Sequence, residues 1–314
     1  MGRVLVMGGT NFVSRCLARY LIQRGYEVDI LTRGLHQADY TGYKNHFKCD
    51  RKMKDEMHIL LEGRIYDAIF DISAYTREDV ELLLSAIHIR NIKKYIFCSS
   101  GAVYEPCFES VSENYKRGEN PNWGKYGLGK KEAEDYLFLL SETQAFPVIM
   151  FRPAYIYGEG NNLYRETYFF DRIKEGRAIP IPHGNETKTQ FIHVDDLVRV
   201  FESAISNGNI GRAYNVTCPE LISWEKLVET CGNVMGENAL IKHVDVRNAN
   251  VEARSYFPFR DVYYALNIAN LIKDGFHIPD ISLEEGMQKA YKWYIQASPG
   301  LSDGRMTRIE EMIR

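Results

Sequence analysis

Residues 3–24, RVLVMGGTNFVSRCLARYLIQR, hold the reading on which the fold turns. The run RVLVM is short, apolar and valine-rich, the signature of a buried strand. From residue 12 the apolar positions recur at helical spacing until Gly25 stops them. Between strand and helix stands Gly8-Gly9-Thr10. Such a turn needs glycine freedom, and the helix N–H groups that follow it form a ready anion site. Of the three-glycine pattern G-x-x-G-x-x-G, only Gly8 is in its slot, with Asn11 and Ser14 at the other two. Asparagine tolerates positive φ better than most residues, and serine is small enough to let helix and strand pack closely. The turn suits a dinucleotide pyrophosphate or a plain structural connection.

Working outward, EVDILT (27–32) reads as a second strand, HFKC (46–49) as a third, YDAIFDIS (66–73) as a fourth and KKYIFCSS (93–100) as a fifth. EDVELLLSAIHIR (78–90) reads as a helix, and the helix carrying Tyr126 is followed by the strand FPVIMF (146–151). Strands alternating with helices imply a parallel sheet with right-handed crossovers, an α/β fold. About 20 residues after the glycine turn, an acidic side chain holds the adenosine ribose 2′-OH in NAD sites. Here Thr32 and Arg33 stand there, and Asp29 lies within the strand. An arginine at this corner suits a 2′-phosphate, which leans towards NADP over NAD; the alternative is an arginine over the adenine or in solvent. Past residue 158 the alternation loosens. TQFIHV (189–194) and RAYNVT (212–217) look like strands, and SWEKLVETCGNVM (223–235) and SLEEGMQKAYKWYIQ (282–296) look like helices.

The chain has 314 residues, 45% of them hydrophobic, enough for a large core. A net charge of −3 supplies no bulk attraction for nucleic acid or an anionic membrane. No apolar run approaches the ~18 residues of a membrane span, and MGRVLVMGG is too short for a signal peptide. Six cysteines are scattered without C-x-x-C or histidine at ligand spacing, so they read as reduced thiols with no zinc site. A cytoplasmic protein is expected.

The stretch KYGLGKKEAEDYL (125–137) places Tyr126 four residues before Lys130, neighbours on one helix face. A cation within ~4–6 Å favours a phenolate, so the pair can do base chemistry, or be an ordinary tyrosine and lysine in solvent. CSSGAVY (98–104) puts Ser100 26 residues before Tyr126 and 30 before Lys130. Together with FRPAYIYG (151–158), QFIHVDDLV (190–198), GRAYNVT (211–217) and SLEEGMQKAYKWY (282–294), these segments, in this order, resemble the extended short-chain dehydrogenase/reductase family, in its NAD(P)-dependent sugar epimerase/dehydratase branch.

That resemblance implies a Rossmann-like doubly wound parallel sheet in residues 1–158, with 188–222 returning to it, and a smaller C-terminal substrate-binding lobe in 159–314. It assigns catalysis to Ser100, Tyr126 and Lys130, with Tyr126 as the base, Lys130 supporting its phenolate and the nicotinamide ribose, and Ser100 bonding the reacting oxygen. It assigns the cofactor to Gly8, Thr10, Asn11, Phe12, Val13, Arg33, Asp50, Arg51, Ile72, Ser73, Ala74, Tyr126, Lys130, Pro153 and Tyr155. Tyr75, Asn162, Arg172, Arg260 and Asp261 fall to the substrate, Arg260 facing a nucleotide diphosphate with its planar donor fork. Ser99 and His193 are expected to be structural.

Within that branch, dehydratases carry Asp-Glu after the catalytic hydroxyl; here Gly101 and Ala102 stand there, which argues against 4,6-dehydration. Glu105 replaces a usual glycine. A nucleotide-sugar epimerase is expected, with a keto-sugar reductase or dehydratase as alternative. GGTNFV, LTRG and DISAYTREDV also resemble a less typical subgroup described as mRNA-binding or isoflavone-reductase-like. An RNA-binding or regulatory protein is therefore the rival of another class, although the retained Tyr/Lys pair and the negative charge speak against a nucleic-acid partner. By the same resemblance, helices near 77–90 and 126–141 would pair with their copies in a homodimer.

Overall fold

The computed structural model describes residues 2–184, 187–246 and 251–314. In chain order the elements are β1 (Arg3–Met7), α1 (Phe12–Gln23), β2 (Glu27–Thr32), β3 (Asn45–Lys48), α2 (Lys54–Leu61), β4 (Ala68–Asp71) and α3 (Arg77–Ala86). After them come β5 (Tyr95–Cys98), α4 (Gly124–Gln144), β6 (Val148–Pro153), β7 (Tyr155–Tyr157), α5 (Glu166–Lys174) and β8 (Ile179–His183). β9 (Phe191–His193), α6 (Val194–Ser203), β10 (Arg212–Val216), α7 (Trp224–Met235) and β11 (Ile241–Asp245) follow, and a helix at Leu283–Ala297 closes the second lobe.

Seven strands form one parallel sheet in the order β10-β6-β5-β4-β1-β2-β3. The order reverses between β1 and β4, and ligands of such sheets bind in the crevice beyond the strand ends at that point. Every residue of β4, β5 and β6 is buried, because α1 and α6 cover one face and α2, α3 and α4 the other. Two-sided burial is why these strands read as unbroken apolar runs rather than as alternation. The second lobe has its own aromatic core, in which Phe169, Trp224, Phe257 and Phe259 pack ring on ring. No helix among the described residues is long and apolar enough to cross a membrane.

Several boundaries differ from the sequence reading. The helix expected over 78–90 starts at Arg77, where Thr76 and Asp79 form a capping box, and ends at Ala86 before an extended Ile87. Isoleucines 89 and 92 then fall in and beside a 3-10 turn. TQFIHV contributes only Phe191–His193, paired with β7 outside the main sheet, whereas RAYNVT does join the sheet beside β6. The pair β8–β11 escaped notice because IPIPH reads as a loop. In a two-stranded sheet both strands are edges, so prolines with no N–H to donate are tolerated.

Candidate active site

A cavity of about 950 Å³ opens at the β1/β4 crevice and runs to the second lobe. Its floor begins at the glycine turn. Gly8 and Gly9 have φ of +112° and +127°, and a Cβ on Gly8 would fall on Ser14. Ser14 Oγ accepts the Gly9 N–H at 2.9 Å and donates to the Asn11 carbonyl, fastening the turn to α1. The Asn11 side chain makes no cap bond, so the first-turn N–H groups of α1 face a cavity lined by Thr10, Asn11, Phe12 and Val13. Open donors and the positive end of a 12-residue helix suit a pyrophosphate, so the residues present fit a dinucleotide. Arg33 and Asp50 stand at the far rim. Arg51 also lines the cavity, but its guanidinium is taken up by Asp71 at 2.9 and 3.0 Å, Ser73 Oγ and the Asp79 carbonyl. Asp29, buried in β2, holds Arg3, Asn45 and Tyr66 and is structural.

Midway, Ser100, Tyr126 and Lys130 converge on the same cavity. The helix brings them there because Gly127 and Gly129 let α4 press against the Ala102 and Tyr75 carbonyls, where any Cβ would collide. One turn further, Glu134 is fully buried and accepts Arg152 of β6 at 2.7 and 2.8 Å, bolting the helix to the sheet. Lys130 is 2% exposed; Nζ donates to the Ala74 carbonyl at 2.7 Å and the Cys98 carbonyl at 2.5 Å, between the rings of Tyr75 and Phe97. Ser100 Oγ accepts the Ala102 N–H at 3.2 Å. Tyr126 is 43% exposed and lines the cavity. Burial pushes the phenol above its ordinary range, while the Ser100 hydroxyl and the charge of Arg165 pull it down. The expected depression by Lys130 does not prevail in this state, since the ammonium is engaged with two carbonyls.

The second lobe closes the cavity with Trp123, Tyr155, Phe259 and Tyr264, whose rings pack at 4.9–5.9 Å. Two guanidiniums lie on these rings: Arg260 is 4.7 Å from the centre of Trp123, and Arg165 is 5.2 Å from that of Tyr155. Among the described residues neither side chain has a hydrogen bond or a carboxylate partner. Burial and the neighbouring Arg260 both weaken the hold of Arg165 on its proton. Two such cations facing one cavity call for an anion there. Arg254 and Arg305 also reach it, paired with Asp303.

Tyr75, Asn162, Ile72, Ser73, Pro153 and Tyr155 line the cavity as well. Three expected residues do not. Arg172 lies on another side of α5, donating to Glu310 and the Ala178 carbonyl in a separate cavity of about 300 Å³. Its helix spacing could not reveal that a tail acid would reach it. Asp261 accepts the Trp224 indole N–H, and Ala74 is buried behind the wall, contributing its carbonyl to Lys130. Glu105 pairs with Lys116 on a peripheral turn and is not part of the cavity. His193 caps α6 and lies 3.0 Å from Glu159. Arg165, Trp123 and Tyr264 were missed, because they sit in loops without periodicity; Tyr264 is only four residues from Arg260 in YFPFRDVYY.

Residues 4–217 match the model of a family described as the NAD dependent epimerase/dehydratase family. Among curated proteins, the chain is similar to a chloroplast stem-loop binding protein of 41 kDa from Arabidopsis thaliana, 28% identical over 92% of this chain and 78% of that protein. Among solved structures, it resembles a UDP-glucose 4-epimerase from Thermotoga maritima with UDP-glucose (TM-score 0.78, 19% identity, 94% of this chain and 99% of that one). It also resembles a dTDP-glucose 4,6-dehydratase from Bacillus anthracis in complex with NAD (TM-score 0.79, 18% identity, 96% and 99%).

Proposed function

The chain belongs to the NAD-dependent epimerase/dehydratase family, and from that premise we propose that it is an enzyme that epimerises a nucleotide-diphosphate sugar. The observation that carries this reading is a single cavity holding a helix-terminus anion site, the Ser100/Tyr126/Lys130 group, and Arg165 and Arg260, which have no carboxylate partner among the described residues. Thr10–Val13 would hold the cofactor pyrophosphate, Lys130 and Pro153 would meet its nicotinamide half, and Arg33 would take a 2′-phosphate if the cofactor is NADP. When bound, the nicotinamide supplies a hydride acceptor that can return what it takes. Tyr126 would take the proton of the sugar hydroxyl, Ser100 would donate to the same oxygen as it becomes a carbonyl, and Tyr126 would give the proton back as the hydroxyl re-forms. Arg165 and Arg260 bind the diphosphate, and the aromatic wall excludes water.

Gly101 and Ala102 supply no acid, and Glu105 lies outside the cavity, which favours epimerisation over loss of water. Incubation with UDP-glucose and dTDP-glucose, followed by chromatographic separation of the epimers and mass spectrometry of each peak, tests the reading. An isomer of equal mass is expected. A keto-sugar substrate that gains two hydrogens would support a reductase instead, and a product lighter by one water would overturn the reading of Gly101 and Ala102. The similarity to a stem-loop binding protein favours one second reading, an RNA-binding role on a retained cofactor fold. Retardation of a stem-loop RNA by the protein, with no sugar turnover, would support that reading.

A further inference from the structure

The β8–β11 pair brings together side chains that are remote in the chain and unrelated to the substrate cavity. The strands run parallel with Ile181 opposite His243, and His183 ends β8 on the face that Ile181 shares. Residues paired in register, and every second residue along a strand, point to one face of a sheet. The two imidazoles therefore meet, their ring centres 4.6 Å apart at 59°. Glu225 reaches the same spot from the first turn of α7, a helix capped by Ser223 and rooted in the lobe core by Trp224. Glu225 Oε1 lies 3.4 Å from His243 Nε2 and 3.8 Å from His183 Nδ1, and the ligand atoms of all three residues fall within 4.8 Å of one another.

Both separations exceed the ~2.7–3.2 Å of an ordinary hydrogen bond, so the carboxylate is bonded to neither ring. They do match the spacing of ligands around a metal. Donors placed ~2.0–2.1 Å from a tetrahedral zinc ion stand roughly 3.3 Å from each other. Among the described residues these three side chains have no other hydrogen bond or salt bridge, which leaves their lone pairs available. We propose that His183, His243 and Glu225 form a zinc site, with water in the fourth position. Two imidazole nitrogens and one carboxylate are a borderline-soft set that favours zinc over magnesium or calcium, which prefer all-oxygen cages. None of the three residues lines the substrate cavity, so the ion takes no part in sugar chemistry. It joins the start of α7 to both strands and thereby stabilises the second lobe. The scattered cysteines suggested no zinc site, and they contribute nothing to this one; its ligands come from three elements, so no ligand spacing betrays it.

The test is calorimetric titration of zinc chloride into the full chain after stripping with EDTA, compared with His183→Ala, His243→Ala, Glu225→Gln and the double histidine variant. The side chains are 59%, 50% and 37% exposed for His183, His243 and Glu225, so their loss should leave the circular dichroism unchanged. One equivalent of zinc should bind the parent protein. Each single variant should weaken it by at least the roughly 10–100-fold lost when a mere supporting partner of a ligand is removed. Magnesium chloride in excess should not compete. Cobalt(II) should give the visible absorption of a tetrahedral site in the parent protein and not in the double variant. An ion that binds only the folded form stabilises it, so zinc should raise the melting temperature of the parent and leave that of the double variant unmoved. Failure to bind zinc would overturn the proposal. So would an equivalent that survives in the double variant, because thiols or other carboxylates would then be holding the ion.

Discussion

In the proposed reaction, Tyr126 concentrates the chemistry in one oxygen. Tyr126→Phe removes that oxygen and nothing else, so turnover should fall by about 10²–10⁴, the range of general base catalysis, with unchanged circular dichroism. Retained activity would take Tyr126 out of the mechanism. Burial raises the phenol above its ordinary pKa in the free protein. It is therefore protonated at neutral pH, and the base form appears as pH rises, so kcat/KM should climb towards alkaline pH until the group has titrated. Arg33 decides a separate question. If it meets a 2′-phosphate, Arg33→Ala should weaken NADP by about 1.5–3 kcal/mol and leave NAD almost unchanged. Equal losses in calorimetric titrations of both cofactors would place it over the adenine.

At the scale of elements, α4 carries the proposed catalytic pair. It is anchored by Glu134, fully buried against Arg152, which also donates to Tyr104 Oη at 2.8 Å. Arg117 adds a second contact to Glu134 at 3.0 Å. Removing one partner of a buried ion pair strands the other charge, which costs about 3–5 kcal/mol. Glu134→Ala should therefore lower the unfolding free energy measured in urea by an amount of that size and impair turnover, because Tyr126 sits two turns away on the same helix. A loss below about 1 kcal/mol would show that the helix is held by its apolar contacts alone. The string KYGLGKKEAEDYL displays the catalytic pair openly, but the anchoring acid looks there like one more surface charge. Its partner lies 18 residues away on a strand, and only the packing of α4 on β6 joins them.

For the whole molecule, α3 and α4 remain the proposed dimer surface. Leu139 is 52% exposed on α4, while Tyr136 and Phe138 are partly roofed by Arg77 and Arg117. Sedimentation at micromolar concentration should show a dimer, and Leu139→Glu should shift it towards monomer; a monomeric parent protein would remove the proposal. The last residues act over a similar distance. Asp303 pairs with Arg305 and Arg254 at the cavity, and Glu310 with Arg172 and Arg177 on the other side of the lobe. Arg305 first, and Arg254 with it, hold the Asp303 carboxyl well below the usual carboxylate range. A depressed folded pKa stabilises above the unfolded value of about 4 and loses that contribution as pH falls through the folded one. Pepsin should accordingly cut within 298–314 before it cuts the body as the pH is lowered below about 4. A segment that stays resistant while the body is cut would assign its hold to Met306, which is buried in the lobe core.

What the sequence determined by itself was local. Apolar runs, helical spacing and the glycines around residues 8 and 128 are consequences of backbone sterics and periodicity, and they set the parallel sheet, the glycine turn and the Tyr126–Lys130 pair. What the tertiary structure decided was every contact made by side chains whose partners are remote in the chain. Arg172 and Asp261 were drawn away from the cavity by Glu310 and Trp224, Glu105 was fixed to Lys116, and Arg165, Trp123 and Tyr264 were gathered at the cavity from stretches that carry no pattern. A charged or polar side chain goes where its charge or hydrogen bond is met, and that place exists only after the sheet and the second lobe have closed on each other.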